Sequence, residues 1–217
     1  MKKKKTWSIT LTIILTILIL GINGYIVYDK FLFNEKIKES TEKEEIKKLE
    51  KKALTIEEIY KIETHINNIE NNAFILINYS NPEQILTKEN VEILKYSINS
   101  SRFSQNADEK QKRIIWKENE AEVPTKISSL NDLSLFMKEK TYYEISLTTI
   151  KNAFISHYNE EINLYYYLIS DILYEEHKIT NGYKINNKIF ITLDNNSKVV
   201  LKYKDNKYYF YSCDINY

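Results

Sequence analysis

The segment that decides the fold is "KIFITLDNNSKVVLKYKDNKYYFYSC", residues 188–213. Three runs rich in β-branched and aromatic residues, at 188–193, 198–204 and 207–213, are separated by the polar stretches "DNNS" and "DN". Apolar runs of this length with turn-forming residues between them are typical of consecutive antiparallel strands. The sequence therefore predicts a C-terminal antiparallel β-meander.

Alternation within these runs predicts which side chains share a face of the sheet. The two expected sets are Ile189, Ile191 and Leu193 on the first strand, and Val199, Leu201 and Tyr203 on the second. Just upstream, Asn181-Gly182 is a dipeptide that favours a tight turn, so we expect a further hairpin there.

The residues before the meander carry mainly helical patterns. Thr55 and Glu58 form a capping-box sequence at the start of a helix predicted over 56–79. Further helices are predicted from a Pro82 start, from a Thr87 cap to about Ser97, over 130–140 and over 147–158. Helices followed by a meander indicate the α+β class.

Two segments have weaker patterns. Ile114–Trp116 interrupts a polar stretch and predicts a short strand. Residues 161–176 have apolar residues at helical spacing, although "LYYYLI" alone suits a strand, and we favour the helix.

The N-terminal segment has the composition of a membrane anchor. Residues 7–28 carry no formal charge, and eleven of the 22 are Ile or Leu. As a helix they would cover roughly 33 Å, enough for the hydrocarbon core of a bilayer. The candidate anchor residues are Trp7, Ile13, Leu18, Gly21, Gly24 and Tyr28.

The residues that flank this segment predict its orientation in the membrane and whether it is cleaved. The residues that set the topology are Lys2, Lys3, Lys4 and Lys5, which should hold residues 1–6 in the cytoplasm and place the C-terminal domain outside. A cleaved signal peptide and a buried soluble helix are the alternatives. The long apolar run and the absence of a small-x-small cleavage pattern favour an uncleaved signal anchor.

Residues 29–55, rich in Glu and Lys, predict a helical stalk. Ile46, Leu49, Ala53 and Ile56 follow a 3-4-3 spacing, and Thr41–Glu44 offers an N-terminal cap. A sustained coiled coil needs more heptads than this segment has. We therefore expect a solvated stalk before an extracytoplasmic domain at 56–217, with dimerisation through the stalk as the alternative.

The composition argues against several function classes. The chain has 31 basic residues, four of them Lys2–Lys5, and 30 acidic ones, so the remainder is net negative by about three. Because the basic residues are dispersed, nucleic acid is not an expected partner. Gly182 is the only glycine outside the predicted anchor, so glycine-rich phosphate loops and nucleophile elbows are excluded.

The residues that commonly carry chemistry are few and scattered. His65, His157 and His177 do not have the spacing of metal ligands, and no metal or other cofactor is expected. Cys213 alternates with Tyr209 in a strand, which indicates packing rather than catalysis.

Two other side-chain patterns leave function open. Carboxylates are plentiful enough to form catalytic pairs by chance. The tyrosine groups in "YYEIS" (142–146), "YYY" (165–167) and "YYFYS" (208–212) would form an aromatic groove for a sugar or a peptide if they met, although strand and core packing accounts for them equally well.

The Lys-run, the span with "GYIVYDKF", the Glu/Lys-rich stalk and the C-terminal "LKYKDNKYYFYS" together resemble uncharacterised single-pass, signal-anchored surface proteins of AT-rich, low-GC Gram-positive bacteria. The resemblance covers the first ~40 and the last ~20 residues and implies a location at the cell membrane.

These observations predict a membrane-anchored extracytoplasmic binding or scaffold protein of the cell envelope, not an enzyme. Its expected partners are the lipid bilayer and other envelope proteins. The alternative is a cell-envelope hydrolase that uses paired carboxylates, and a sensor is a third possibility.

Overall fold

The computed structural model describes residues 50–120, 122–168 and 173–216. From Lys51 onward the described residues form one compact unit. The α+β class and the C-terminal meander are confirmed. The predicted cytoplasmic tail, the anchor at 7–28 and the stalk up to residue 49 lie outside the described residues. Within the part of the chain that is described, every helix is too short or too polar to cross a bilayer.

Five α-helices form the helical part of the described chain. They are α1 (Ile56–Ile66), α2 (Lys88–Ser100), α3 (Glu109–Asn119), α4 (Leu130–Thr141) and α5 (Leu147–Ala153). Short 3₁₀ helices lie at Asn72–Ile75, Pro82–Gln84 and Ile155–His157. Both predicted caps are present, since Thr55 and Glu58 form a capping box and Thr87 accepts from the backbone N–H of Asn90.

The larger sheet has five antiparallel strands in the order β1-β6-β7-β8-β9. Its strands are β1 (Lys52–Ala53), β6 (Ile179–Ile185), β7 (Lys188–Leu193), β8 (Lys198–Lys204) and β9 (Lys207–Asp214). Asp205 and Asn206 both have positive φ, as the two-residue turn between β8 and β9 requires.

The smaller sheet is also antiparallel, with the strand order β2-β3-β5-β4. Its strands are β2 (Gln105–Asn106), β3 (Thr125–Ser128), β4 (Tyr158–Asn159) and β5 (Leu164–Leu168).

The main core lies between the helices and the inner face of the larger sheet. The predicted face of β7 is buried, as are Val199 and Leu201 on β8, but Tyr203 is exposed at the end of its strand. Phe210 on β9 is fully buried and stacks on Phe74, with 4.8 Å between ring centroids. This stack joins the helical layer to the sheet through aromatic contact.

Several secondary-structure predictions need correction. The segment 161–176 is a strand at Leu164–Leu168, because this strand pairs with β3 and β4 and buries three consecutive tyrosines. Ile114–Trp116 is helical, because a capping box between Asp108 and Gln111 starts α3 ahead of it. The helix predicted over 147–158 ends at Ala153.

The helix predicted over 56–79 ends at Ile66. Asn67, Asn71 and Asn72 then direct their side-chain amides to backbone atoms or to His65. Asparagine competes in this way with helical hydrogen bonds, so a run of four asparagines with two intervening residues stops the helix.

Asn181-Gly182 is not a turn. Both residues lie inside β6, and the turn to β7 falls at Asn186, which has φ 54°. The predicted stalk also differs at its end, because Lys52–Ala53 is extended and pairs with Tyr183 and Lys184 of β6.

Candidate functional site

An open cleft of about 330 Å³ lies between the Pro82–Gln84 turn, the end of α4, and strands β8 and β9. The side chains that characterise it are Glu83, Tyr142, Tyr143, Lys202 and Tyr211, and we call this group the tyrosine cleft. Its volume is at the lower end of the range for small-molecule sites, about 300–1,000 Å³.

The end of α4 brings two tyrosines to the cleft. Tyr142 is the C-terminal cap of α4 and has left-handed backbone angles, φ 56° and ψ 24°, while its N–H donates to Lys138 O. This conformation turns the chain sharply and leaves Tyr142 and Tyr143 about 40 % exposed, at 43 % and 38 %. A bulky side chain is uncommon in this region, where Gly or Asn is preferred.

A β-bulge in β9 brings the third tyrosine. Val200 pairs with Ser212 and Leu201 pairs with Phe210, so Tyr211 is the extra residue between the two registers. A bulge re-aims side chains next to it. It lets Phe210 and Cys213 both reach the core while Tyr211 lines the cleft.

Lysines lie over two of the three rings. Lys188 Nζ lies 4.0 Å from the centroid of Tyr211, and Lys204 Nζ lies 4.1 Å from that of Tyr142, whose hydroxyl also accepts a hydrogen bond from it. That hydrogen bond raises the pKa of Lys204. Lys202 lies in the cleft itself and is directly opposite Lys188 across the β7–β8 pair.

Glu83 supplies a carboxylate to the tyrosine cleft. The Tyr143 hydroxyl donates to it, and this hydrogen bond raises the pKa of Tyr143. Asn81 fixes the turn that carries Glu83, because its side chain accepts from the backbone N–H of Glu83 at 2.9 Å. The cleft itself is thus lined by one carboxylate, Glu83, and one ammonium group, Lys202, while Lys188 and Lys204 add positive charge beside its rings.

Two of the three tyrosine groups in the sequence meet at this site. The "YYEIS" group contributes Tyr142 and Tyr143, and the "YYFYS" group contributes Tyr211. Tyr209 of the same group lies tilted against Tyr142, with 5.0 Å between ring centroids. The "YYY" group at 165–167 is buried in β5 of the other sheet. The tyrosine groups could be recognised in the sequence, but the β-bulge and the left-handed helix cap that bring them together could not.

A second cleft, of about 540 Å³, has His65 in its wall, and we call it the His65 cleft. The imidazole stacks on Phe210 at 5.3 Å, and Asn71 Nδ2 lies 3.3 Å from its Nδ1. Burial, with a smaller contribution from the charge of Lys140, lowers the pKa of His65 to about 4. His65 lies in the last turn of α1.

Two carboxylates meet in the His65 cleft. Lys140 Nζ lies 3.1 Å from Glu70 and 3.6 Å from Glu139, and its side chain is only 8 % exposed. Arg102 also binds Glu139. Lysine and arginine therefore hold both carboxylates in ion pairs. A third cleft, of about 760 Å³, contains Arg113, Lys117, Glu118, Glu160 and Glu161.

The other histidines and the cysteine remain apart. His157 Nε2 lies 2.9 Å from Glu92, whereas the buried His177 lies 2.8 Å from Asp194 through Nδ1. Burial raises the pKa of the Cys213 thiol to about 12, which agrees with the expected packing role. Within the described residues, no group of three potential ligands is positioned to hold a metal ion.

Compared with protein-family models, curated proteins and solved structures, the chain shows no significant match.

Proposed function

We propose that the chain is a membrane-anchored, extracytoplasmic binding or scaffold protein of the cell envelope, and that it binds a ligand in the tyrosine cleft. Residues 7–28 would be the anchor in this proposal, with the bilayer as one partner and other envelope proteins as further partners. The observation that carries the binding role is the group of partly exposed rings, Tyr142, Tyr143 and Tyr211, beside lysines in one concave site.

Binding is a better account of this site than surface packing alone. Exposed aromatic rings stabilise a fold less than buried ones, because their apolar area stays in contact with water. Tyr142 also keeps an unfavourable backbone conformation in order to present its ring. Strained backbone at a concave site is a common sign of function.

One candidate pair for the alternative, a hydrolase with paired carboxylates, is Glu70 and Glu139 of the His65 cleft, and the third cleft also contains carboxylates. Lys140 pairs with both carboxylates of the His65 cleft, and Arg102 pairs with Glu139. A glycosidase of this type needs one carboxyl group that donates a proton and one that is ionised. Two carboxylates that are both paired with cations both stay ionised, so neither is suited to donate the proton. We therefore favour binding over hydrolysis by this pair.

Photo-cross-linking in intact cells tests the binding role. A photoreactive amino acid replaces Tyr143 in the full-length chain, and a matched chain carries it at Tyr60, which is 71 % exposed on α1. We expect adducts from position 143 and none of the same mass from position 60. Equal adducts at both positions, or none at position 143, would overturn the proposal for the cleft.

Protease treatment of the same cells tests the location. We expect an external protease to degrade the C-terminal domain of intact cells, because it lies outside the membrane in this proposal. Survival of the domain until the cells are lysed would place it inside and contradict the proposed topology.

A further inference from the structure

We infer that the ligand of the tyrosine cleft is an acidic saccharide, a chain of sugar or polyol units that carries carboxylate or phosphate groups. This inference rests on the proposed binding role and adds the chemical class of the ligand.

The lysines of the cleft point to a negative ligand. Lys188 and Lys202 face each other across β7 and β8, an arrangement that destabilises a sheet when both residues are charged. None of the ion pairs among the described residues includes either lysine, so no carboxylate within 4.0 Å offsets the repulsion. An anion bound between Lys188 and Lys202 would remove it, and Lys204 would add a third positive charge beside Tyr142.

The rings point to sugar units between the negative groups. Tyr142, Tyr143 and Tyr211 present aromatic faces and hydroxyl groups to a cleft of about 330 Å³. The C–H face of a sugar ring packs on an aromatic face, while its hydroxyl groups exchange hydrogen bonds with polar atoms at the rim. Glu83, which already accepts from Tyr143, can accept from a sugar hydroxyl in the same way.

The strand edge beside the cleft argues against an extended peptide. A peptide of that kind usually adds a strand to an open sheet edge. Here Tyr79 pairs with Cys213 on the outer edge of β9, through two backbone hydrogen bonds of 2.9 Å. Because Tyr79 occupies the edge at Cys213, an extended peptide cannot add a strand at that position.

Binding measurements on the full-length chain in detergent micelles test the ligand class. The probes are polygalacturonate, with carboxylates, poly(glycerol phosphate), with phosphates, neutral dextran and poly-glutamate. We expect at least one of the two acidic saccharide or polyol chains to bind, with an affinity that falls as salt is added. Whichever of these two chains binds more tightly shows whether the ligand carries carboxylate or phosphate groups. Dextran and poly-glutamate should bind at least about tenfold more weakly.

Variants of the same chain connect binding to the cleft. Lys202→Gln should weaken binding of the acidic saccharide about tenfold, the size expected for one lost charge-assisted hydrogen bond. Lys151→Gln, which removes a positive charge from the exposed surface of α5, should have no effect. Equal losses for both variants, or equal binding of dextran or poly-glutamate, would overturn the inference.

The two proposals fail separately. Adducts at position 143 without binding of either acidic polymer would keep the binding role and reject the acidic saccharide. An absence of adducts together with polymer binding that is insensitive to Lys202→Gln would reject the cleft for both.

Discussion

Leu54 packs against Gly182 so closely that a Cβ atom on Gly182 would lie 2.5 Å from Leu54 Cδ1. The Leu54 N–H also approaches Gly182 O at 3.4 Å, next to the two-residue strand β1. The chain thus enters the larger sheet beside Gly182, where a side chain would overlap with Leu54. This close approach, rather than a turn, explains the glycine at position 182.

Gly182→Ala should therefore destabilise the domain by up to about 1 kcal/mol, at the low end of overpacking costs, because the end of the half-buried Leu54 side chain can shift to relieve the contact. Chemical denaturation of the variant measures this loss. In a Leu54→Ala background the collision is absent, so the same substitution should cost much less there. Strictly additive losses in the double variant would show that the contact with Leu54 is not the cause.

Local patterns predicted the elements that local interactions determine. The meander follows from alternation and from turn residues a few positions apart, and the capping box of Thr55 and Glu58 joins residues in one helical turn. Strand β5 was not the favoured prediction, although "LYYYLI" alone suits a strand. Its three tyrosines are buried by neighbours from distant parts of the chain, so the pattern has no period that identifies a strand.

The tyrosine cleft was predictable in its residue types and not in its geometry. Tyr142 reaches the site through a left-handed helix cap, and Tyr211 reaches it through a β-bulge. Neither feature has its preferred sequence, because the cap lacks Gly or Asn and the bulge interrupts a regular aromatic run. Such exceptions to local preference are common at functional sites.

His65 should make the stability of the domain depend on pH. Burial lowers its pKa to about 4, against 6.5 for an unperturbed histidine. Above pH 6.5 both folded and unfolded chains hold it neutral. As the pH falls from 6.5 to 4, only the unfolded chain gains the proton, so stability decreases by roughly 1.4 kcal/mol per pH unit.

Comparison with His65→Phe isolates this effect, because phenylalanine keeps an aromatic ring against Phe210 and cannot be protonated. Between pH 7 and pH 5, the wild-type chain should lose roughly 2 kcal/mol more unfolding free energy than the variant. Parallel pH profiles would mean that His65 does not keep a low pKa in the folded chain.

Asn72 should be among the most sensitive polar residues of the core. Its fully buried side chain donates to Glu175 O at 2.8 Å and accepts from Glu175 N–H at 2.9 Å. Asn72→Ala leaves both backbone groups without these partners, and we expect a loss of about 2–4 kcal/mol in unfolding free energy. Asn152→Ala, on the exposed surface of α5, is the matched control and should change stability little. Similar losses for the two would contradict this role.

Cys213 should be unreactive while the chain is folded. Its thiol is buried, and the burial raises its pKa to about 12, so almost none is thiolate at neutral pH. A thiol-specific reagent should therefore label the native chain slowly and the denatured chain at once. Rapid labelling of one thiol per chain under native conditions would show that the Tyr79–Cys213 edge opens readily.

Two substitutions at Tyr142 should separate the cost of its left-handed backbone from the contribution of its ring to binding. At a position with φ 56°, glycine avoids the cost of a left-handed backbone, so Tyr142→Gly should be about 1 kcal/mol more stable than Tyr142→Ala. The same pair of substitutions at Leu135, exposed within α4, should give the opposite order, since glycine weakens a helix interior. Thermal unfolding measures both pairs. Because Gly and Ala both remove the ring, both Tyr142 variants should lose binding of the acidic saccharide equally. If Tyr142→Ala equals Tyr142→Gly in stability, position 142 is not strained, and the cap gives no support to a functional cleft.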